Sequence, residues 1–349
     1  MFDVKFEPKL DTLRLEKISD AIYFSERYSD YISNSRLSKI NPEQDGSIQI
    51  FLEGMTAHRL FIPSLPLGSA VHEMCLQKEY FNLADSIINK PTSKAGFIAD
   101  ECISMCKDIP SDDIIKKACV IVDYYKGNPS ENQFNKLKGQ IIPYIKSRLE
   151  YESRLESELE QIYLDPKQME TAKACIEAID NNKKMQKLLH PEGILEAPIS
   201  ENEQTILLDV EVQLPKLEPF VVRLKSKLDN YTIDKENSVI TVNDIKTHGK
   251  ILPEFKESIL KYHYMREMAM YSWLLSLCAK KFYNIENPTI KSNFLVVSTI
   301  PQYYTQVFPM TKKLFKKGFD EFKELLKLAS VALYFKDAKK AEEYLNGGN

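Results

Sequence analysis

The sequence predicts an α/β chain, a mixed β-sheet flanked by helices and interrupted by a large helical insertion. Three observations predict it. Two segments rich in β-branched and apolar residues, FVVRLKSKLDNYTI and NSVITVNDIKTH, are separated by Asp234-Lys235-Glu236-Asn237, which supplies turn chemistry, so they read as a hairpin. A further strand is legible in NFLVVST, Asn293 to Thr299, with Tyr303 to Phe308 spaced to pair with it. From Leu76 to His190 apolar residues recur every three to four positions, as at Leu155, Leu159 and Tyr163, which is the helical period.

Taken in order, residues 1–60 read as an N-terminal helical segment. Ser29 to Leu37 gives a Ser-capped helical start, and Asn41-Pro42-Glu43-Gln44 a loop. Gly68 to Leu76 reads as a helix capped by Ser69, with Leu65, Val71 and Leu76 turned to the core. The helical insertion follows at about 77–190, where Tyr124, Tyr125, Phe134 and Tyr144 fit a core better than a base-stacking platform. Thr205 to Leu214 is a strand, then comes the hairpin, then an amphipathic helix running through Tyr271, Trp273 and Leu274. The main body therefore spans 61–310, and 311–349 forms a helical tail.

At 349 residues, 43% hydrophobic and 28% charged, the chain can bury a full core and exceeds one average domain. No run approaches the roughly 20 apolar residues a membrane span needs, and Met1 to Lys17 alternates charged with apolar residues, unlike a signal peptide. A cytoplasmic location is expected, with no membrane partner. Cys75, Cys102, Cys106, Cys119, Cys175 and Cys278 are scattered without a CxxC pair, so a disulfide framework is not expected. No GxxxxGK[ST] loop and no internal repeat occur.

The hairpin carries the chemistry. Asp244 and Lys246 are two residues apart on one strand and share a face, and Asp229 lies late on the partner strand within cross-strand reach. Two carboxylates supply hard oxygen ligands for Mg²⁺, and the ammonium can orient a water or a phosphate. The tripeptide alone says little, since Asp3/Lys5, Glu7/Lys9, Asp165/Lys167, Glu254/Lys256 and Asp337/Lys339 have the same spacing. The position at the end of an apolar strand and the second Asp upstream single out 244–246. A surface hairpin with a salt bridge fits the same local pattern.

KSKLDNYTIDKENSVITVNDIKTHGKILPEF followed by YHYMREMAMY resembles the PD-(D/E)xK nuclease superfamily, in particular its RecB-like and exonuclease VIII-like members of phage-type recombination. The positions that match are Asp229, Asp244, Lys246, Thr247 and Tyr271. Glu267, with Arg266 beside it, stands where the family has Gln. Gly68 to Leu76 is similar to the family's first motif, whose His corresponds to His72. Glu196 corresponds to a Glu that opens the sheet, and a solvent-facing strand-edge carboxylate fits it equally. The resemblance implies a restriction-endonuclease-like core and metal-dependent hydrolysis of DNA phosphodiesters. His72, Asp229, Asp244 and the Ile245 carbonyl would hold Mg²⁺, with Mn²⁺ as substitute. Lys246 would position the attacking water, and Lys227, Thr247, Arg266, Glu267 and Tyr271 would bind DNA or organise the site.

It further implies an exonuclease resecting duplex ends in recombination or repair, in a bacterial or phage-infected cell. A single-strand annealing protein would be a separate partner, and a homo-oligomer is compatible. An endonuclease, a single-strand-specific nuclease and a catalytically degenerate DNA-binding or assembly protein are the alternatives. An iron–sulfur cluster is not expected, because relatives that hold one place three Cys after the core and here only Cys278 follows it. Net charge is −3, so DNA binding would rest on distribution. Residues 221–266 carry nine Lys/Arg against six Asp/Glu, which directs attention to Lys225, Lys227, Lys250, Lys256, Lys261 and Arg266 as phosphate contacts, with Lys312, Lys313, Lys316 and Lys317 as a second cluster.

Overall fold

An eight-stranded mixed sheet organises the first of two units in this computed structural model. Residues 4–56, 66–77, 91, 94–106, 108–125, 129–155, 164, 166–191 and 199–347 are described by the structure. The first unit comprises Met1–Ile62, Cys75–Gln77 and Ala174–Asn349, the second Pro63–Met74 and Lys78–Lys173. In chain order the elements are β1 (Lys5–Pro8), β2 (Arg14–Lys17), α1 (Asp20–Phe24), β3 (Tyr31–Ile32), α2 (Asn34–Ser38), α3 (Ile48–Thr56), α4 (Pro66–Leu76), α5 (Lys94–Met105), α6 (Asp112–Ile121), α7 (Glu131–Leu155), α8 (Pro166–Asp180) and α9 (Lys183–Leu189). They continue with β4 (Ile199–Gln213), β5 (Phe220–Asp234), β6 (Val239–His248), α10 (Phe255–Lys261), α11 (Tyr264–Tyr283), β7 (Thr289–Ser298), β8 (Thr305–Pro309), α12 (Lys312–Phe335) and α13 (Ala338–Leu345).

The strand order is β1-β4-β5-β6-β7-β8, with β2 also on β4 and β3 on β5. Among the described strands only β3/β5 and β6/β7 are parallel. The parallel β6/β7 pair needs a crossover connection, which α10 and α11 provide. The expected hairpin is present. Its turn is locked where Asp234 Oδ1 accepts the Asn237 N–H at 3.0 Å and Asn237 Nδ2 donates to Asp234 Oδ2 at 2.8 Å, an Asx-type turn.

The first 60 residues, read as helical, also contain β1, β2 and β3. Those strands are four, four and two residues long, too short for a period-2 pattern to stand out, and they exist because β4 and β5 offer them an edge.

One face of the sheet presents Ile240, Val242, Phe294 and Val296 to a core shared with α11 and α12. These two helices cross closely because residue 318 is glycine: a Cβ there would lie 2.1 Å from the Met265 carbonyl oxygen. Asn243 points to the opposite face, where its Nδ2 meets the Leu188 carbonyl of α9 at 3.1 Å. The second unit has its own core, in which α5, α6 and α7 enclose Ile98, Cys102, Ile115, Leu137 and Ile141. Phe134 is buried there, and Tyr124, Tyr125 and Tyr144 pack against that core, as expected. Leu65, Leu159 and Tyr163 lie outside the described residues. Among those described, no helix is long and apolar enough to cross a membrane.

Candidate active site

The sheet forks at the candidate residues. The β5/β6 pairing runs from Asp234↔Val239 back to Asn230↔Asn243 and stops. Beyond that row β5 stays with β4, while β6 continues only along β7, from Asp244↔Phe294 to His248↔Ser298. Asp229 and Asp244 are the first residues past the last pair, one on each prong. The lost backbone bond is replaced by a side chain, since Asp229 Oδ2 accepts the Ile245 N–H at 2.7 Å. In a strand the N–H and C=O of one residue point the same way, so the Ile245 carbonyl also faces the gap.

A third carboxylate enters from β4. The β4/β5 register places Glu203 directly opposite Asp229, between the pairs Asn202↔Asn230 and Gln204↔Leu228, and the ladder is interrupted at that position alone. Glu203 has φ 54°, a left-handed backbone that costs a non-glycine residue about 1 kcal/mol or more and recurs at functional sites. The ligand oxygens of Glu203 and Asp229 come within 4.8 Å of each other. Lys227 Nζ lies 2.9 Å from Glu203 Oε2.

α11 closes the group. Lys246 Nζ donates to Asp244 Oδ1 at 3.1 Å and to Glu267 Oε2 at 3.2 Å, and Glu267 Oε1 accepts the Tyr271 hydroxyl at 3.0 Å. Glu267 and Tyr271 are four residues apart and so stack on one helix face. The Lys246 ammonium also sits 4.8 Å from the centre of the Tyr264 ring, a cation–π distance. Lys246 Nζ is 2.9 Å from Asp244 Oδ2 as well, but not in hydrogen-bonding alignment, which leaves that buried oxygen with no donor aimed at it.

The electrostatics follow from burial. Asp244 is 3% exposed, and burial pushes its pKa up to about 7; Lys246 opposes the shift, and Asp229 and Glu267 add to it. Burial alone would lower the Lys246 pKa, but Asp244 and Glu267 outweigh it and hold the ammonium well above its ordinary value. Burial, then Glu267, drives the Tyr271 phenol upward, so it remains a donor. A buried oxygen without a donor, opposed carboxylates and an acid resisting ionisation are what a hard divalent cation would relieve.

Arg266 and Lys225 are placed differently from expectation. Arg266 is fully buried and turned away. Its Nε donates to Asn34 Oδ1 at 2.8 Å, Nη1 to Glu321 Oε1 at 2.8 Å and to Gln44 Oε1 at 3.2 Å, and Nη2 to Ser38 Oγ at 2.6 Å. It ties α2 and α12 to α11 and is not available to DNA. Sequence spacing missed this because Arg266 and Glu267, adjacent in sequence, diverge by about 100° on a helix. Lys225 is likewise buried, donating to the Tyr23 and Tyr28 carbonyls at 2.6 and 3.0 Å, so it is no phosphate contact. Lys250, expected as another, is exposed and pairs with Glu254 at 2.8 Å. Thr247, next to Lys246 on β6, faces the opposite side of the sheet. His72 lies on α4, partly buried, in the second unit. Glu196 lies outside the described residues.

No family model matches the chain, and no curated protein matches it. A crystal structure of a candidate exonuclease from Eubacterium rectale is similar to it at a TM-score of 0.44 and 11% identity, covering 96% of this chain and 88% of the other.

Glu203 and Tyr264 were not among the residues read from the sequence. Glu203 carried no signal in the residue pattern, because its place opposite Asp229 follows from the β4/β5 hairpin turning around Lys216, φ 62°, thirteen residues from each. Tyr264 carried none, because its meeting with Lys246 depends on where α11 lands on the sheet.

Proposed function

We propose that this protein is a nuclease that hydrolyses DNA phosphodiesters with Mg²⁺ or Mn²⁺. The observation that carries the reading is the fork, where Asp229 and Asp244 part beside Lys246 and Glu203 stands in register opposite Asp229. Glu203, Asp229, Asp244 and the Ile245 carbonyl would hold the ion, which when bound supplies Lewis-acid activation of water and neutralises developing phosphate charge. Lys246, kept charged and fixed by Asp244, Glu267 and Tyr264, orients the water or a phosphate oxygen. Glu267, held by Tyr271, orients Lys246, a site-organising role of the kind the resemblance implies for that position. The resemblance to exonuclease VIII-like chains extends this to an exonuclease resecting duplex ends in recombination or repair, working with a separate annealing protein.

The test compares end-labelled linear duplex with covalently closed circular DNA in Mg²⁺, Mn²⁺ or EDTA, for wild type and Asp244→Ala. Metal-dependent loss of the linear form alone, abolished by the substitution, is expected. Cleavage of circles would make it an endonuclease. Cleavage of neither, or an active Asp244→Ala protein, would overturn the reading.

A further inference from the structure

A row of asparagines crosses the sheet one residue behind the carboxylates. Asn202 is paired in register with Asn230, Asn230 with Asn243, and Asn243 with Asn293, so the row runs over β4, β5, β6 and β7. Their side chains form a head-to-tail amide chain. Asn293 Nδ2 donates to Asn243 Oδ1 at 3.1 Å, Asn243 Nδ2 to Asn230 Oδ1 at 2.8 Å, and Asn230 Nδ2 to Asn202 Oδ1 at 2.8 Å. Asn230 and Asn243 are fully buried, and amides in such a chain polarise one another and leave little freedom to shift.

We infer that these asparagines are positioning residues, which fix the register that sets Glu203 against Asp229 and Asp229 against Asp244. The inference rests on the nuclease reading for the purpose of that alignment, and on the sheet geometry for its existence. The Asn row is the last one paired across β5 and β6 before the fork. Past it, backbone pairing is lost both between β5 and β6 and at Glu203–Asp229, and like charges stand opposed, which favours separation. A slip of one residue would move every carboxylate to the opposite face. Four amides that satisfy one another only in this register oppose the slip, and a buried amide left unpaired is penalised. The amide chain and the carboxylates occupy opposite faces of the sheet, so the asparagines act through the strands without touching a substrate.

The experiment uses the full chain carrying Asn243→Leu, with Asn293→Leu at the end of the amide chain as the milder variant and Leu326→Ala as a core control. Two readouts are taken on the folded proteins: Mn²⁺ affinity by calorimetry, and exchange of the Ile245 amide, which Asp229 Oδ2 holds, relative to the Val296 amide of β7. A purely structural role would speed both amides together, as in the control. Positioning predicts Ile245 exchange accelerated tenfold or more over Val296 and a tenfold weaker Mn²⁺ affinity, in Asn243→Leu and to a smaller extent in Asn293→Leu. Unchanged relative exchange in both variants would overturn the inference. If wild type binds no Mn²⁺, the metal reading fails while Ile245 exchange still decides the role of the asparagines.

Discussion

Asp244→Asn should make the metal-free protein more stable at alkaline pH while removing its activity. The carboxyl titrates at about 7 in the fold against an ordinary 3.8 because it is buried among Asp229 and Glu267. Below about pH 3.8 the folded and unfolded chains both hold the proton, and this carboxyl adds no pH dependence. Between 3.8 and 7 the folded chain binds more protons than the unfolded one, so stability falls as pH rises, and above 7 the cost is fully expressed. Three pKa units at ~1.36 kcal/mol each bound that cost at about 4 kcal/mol, and relaxation around the buried charge makes about 2 kcal/mol the working value. At roughly 2.1 cal/mol/K per residue over 349 residues, the variant should melt about 3 °C above wild type at pH 8 in EDTA. The gap should shrink towards pH 5. Mg²⁺ at about a hundred times its Kd stabilises a binding protein by ~2.7 kcal/mol, so wild type should gain about 4 °C and the variant much less. The assay is thermal unfolding across pH 5–9 with EDTA or MgCl₂. A variant that melts below wild type at pH 8 in EDTA would refute the burial argument, and equal gains from Mg²⁺ would refute the ligand role.

Glu203→Gln removes one of two opposed carboxylates and should weaken Mn²⁺ binding about tenfold, ~1.4 kcal/mol, by calorimetry; unchanged affinity would take Glu203 out of the ligand set. Lys246→Met leaves Asp244 and Glu267 without their shared cation, and should cost about 3 kcal/mol of metal-free stability in denaturant titrations and abolish DNA hydrolysis. Tyr271→Phe loses the hydroxyl on Glu267, and should cost about 1 kcal/mol and lower the cleavage rate while leaving Mn²⁺ affinity intact. Arg266→Met strips a buried cation from Glu321 and should destabilise by about 3–5 kcal/mol, with Mn²⁺ affinity of the folded fraction unchanged; loss of Mn²⁺ or DNA affinity without loss of stability would restore it to the site.

The hairpin was legible because its information is local. The β-branched and apolar residues of β5 and β6, a turn whose Asp234 and Asn237 bond each other, and the two-residue spacing of Asp244 and Lys246 all act within a few residues. The long helix after the hairpin, the strand at 293–299 and the helical character of the insertion were legible for the same reason. The strands β1, β2 and β3 were not, since a strand of two to four residues has no stability of its own and forms only against a partner.

By itself the sequence determined that a mixed sheet would carry Asp229, Asp244 and Lys246 on one hairpin, because side-chain alternation and turn chemistry are properties of neighbouring residues. Only the tertiary structure decided that Glu203 opposes Asp229, that Glu267 and Tyr264 fix Lys246, and that Arg266 and Lys225 are buried as struts. Those outcomes depend on register between strands and on where α11, α12 and the N-terminal segment land on the sheet. Packing and cross-strand alignment of distant residues set them, and no local pattern encodes either.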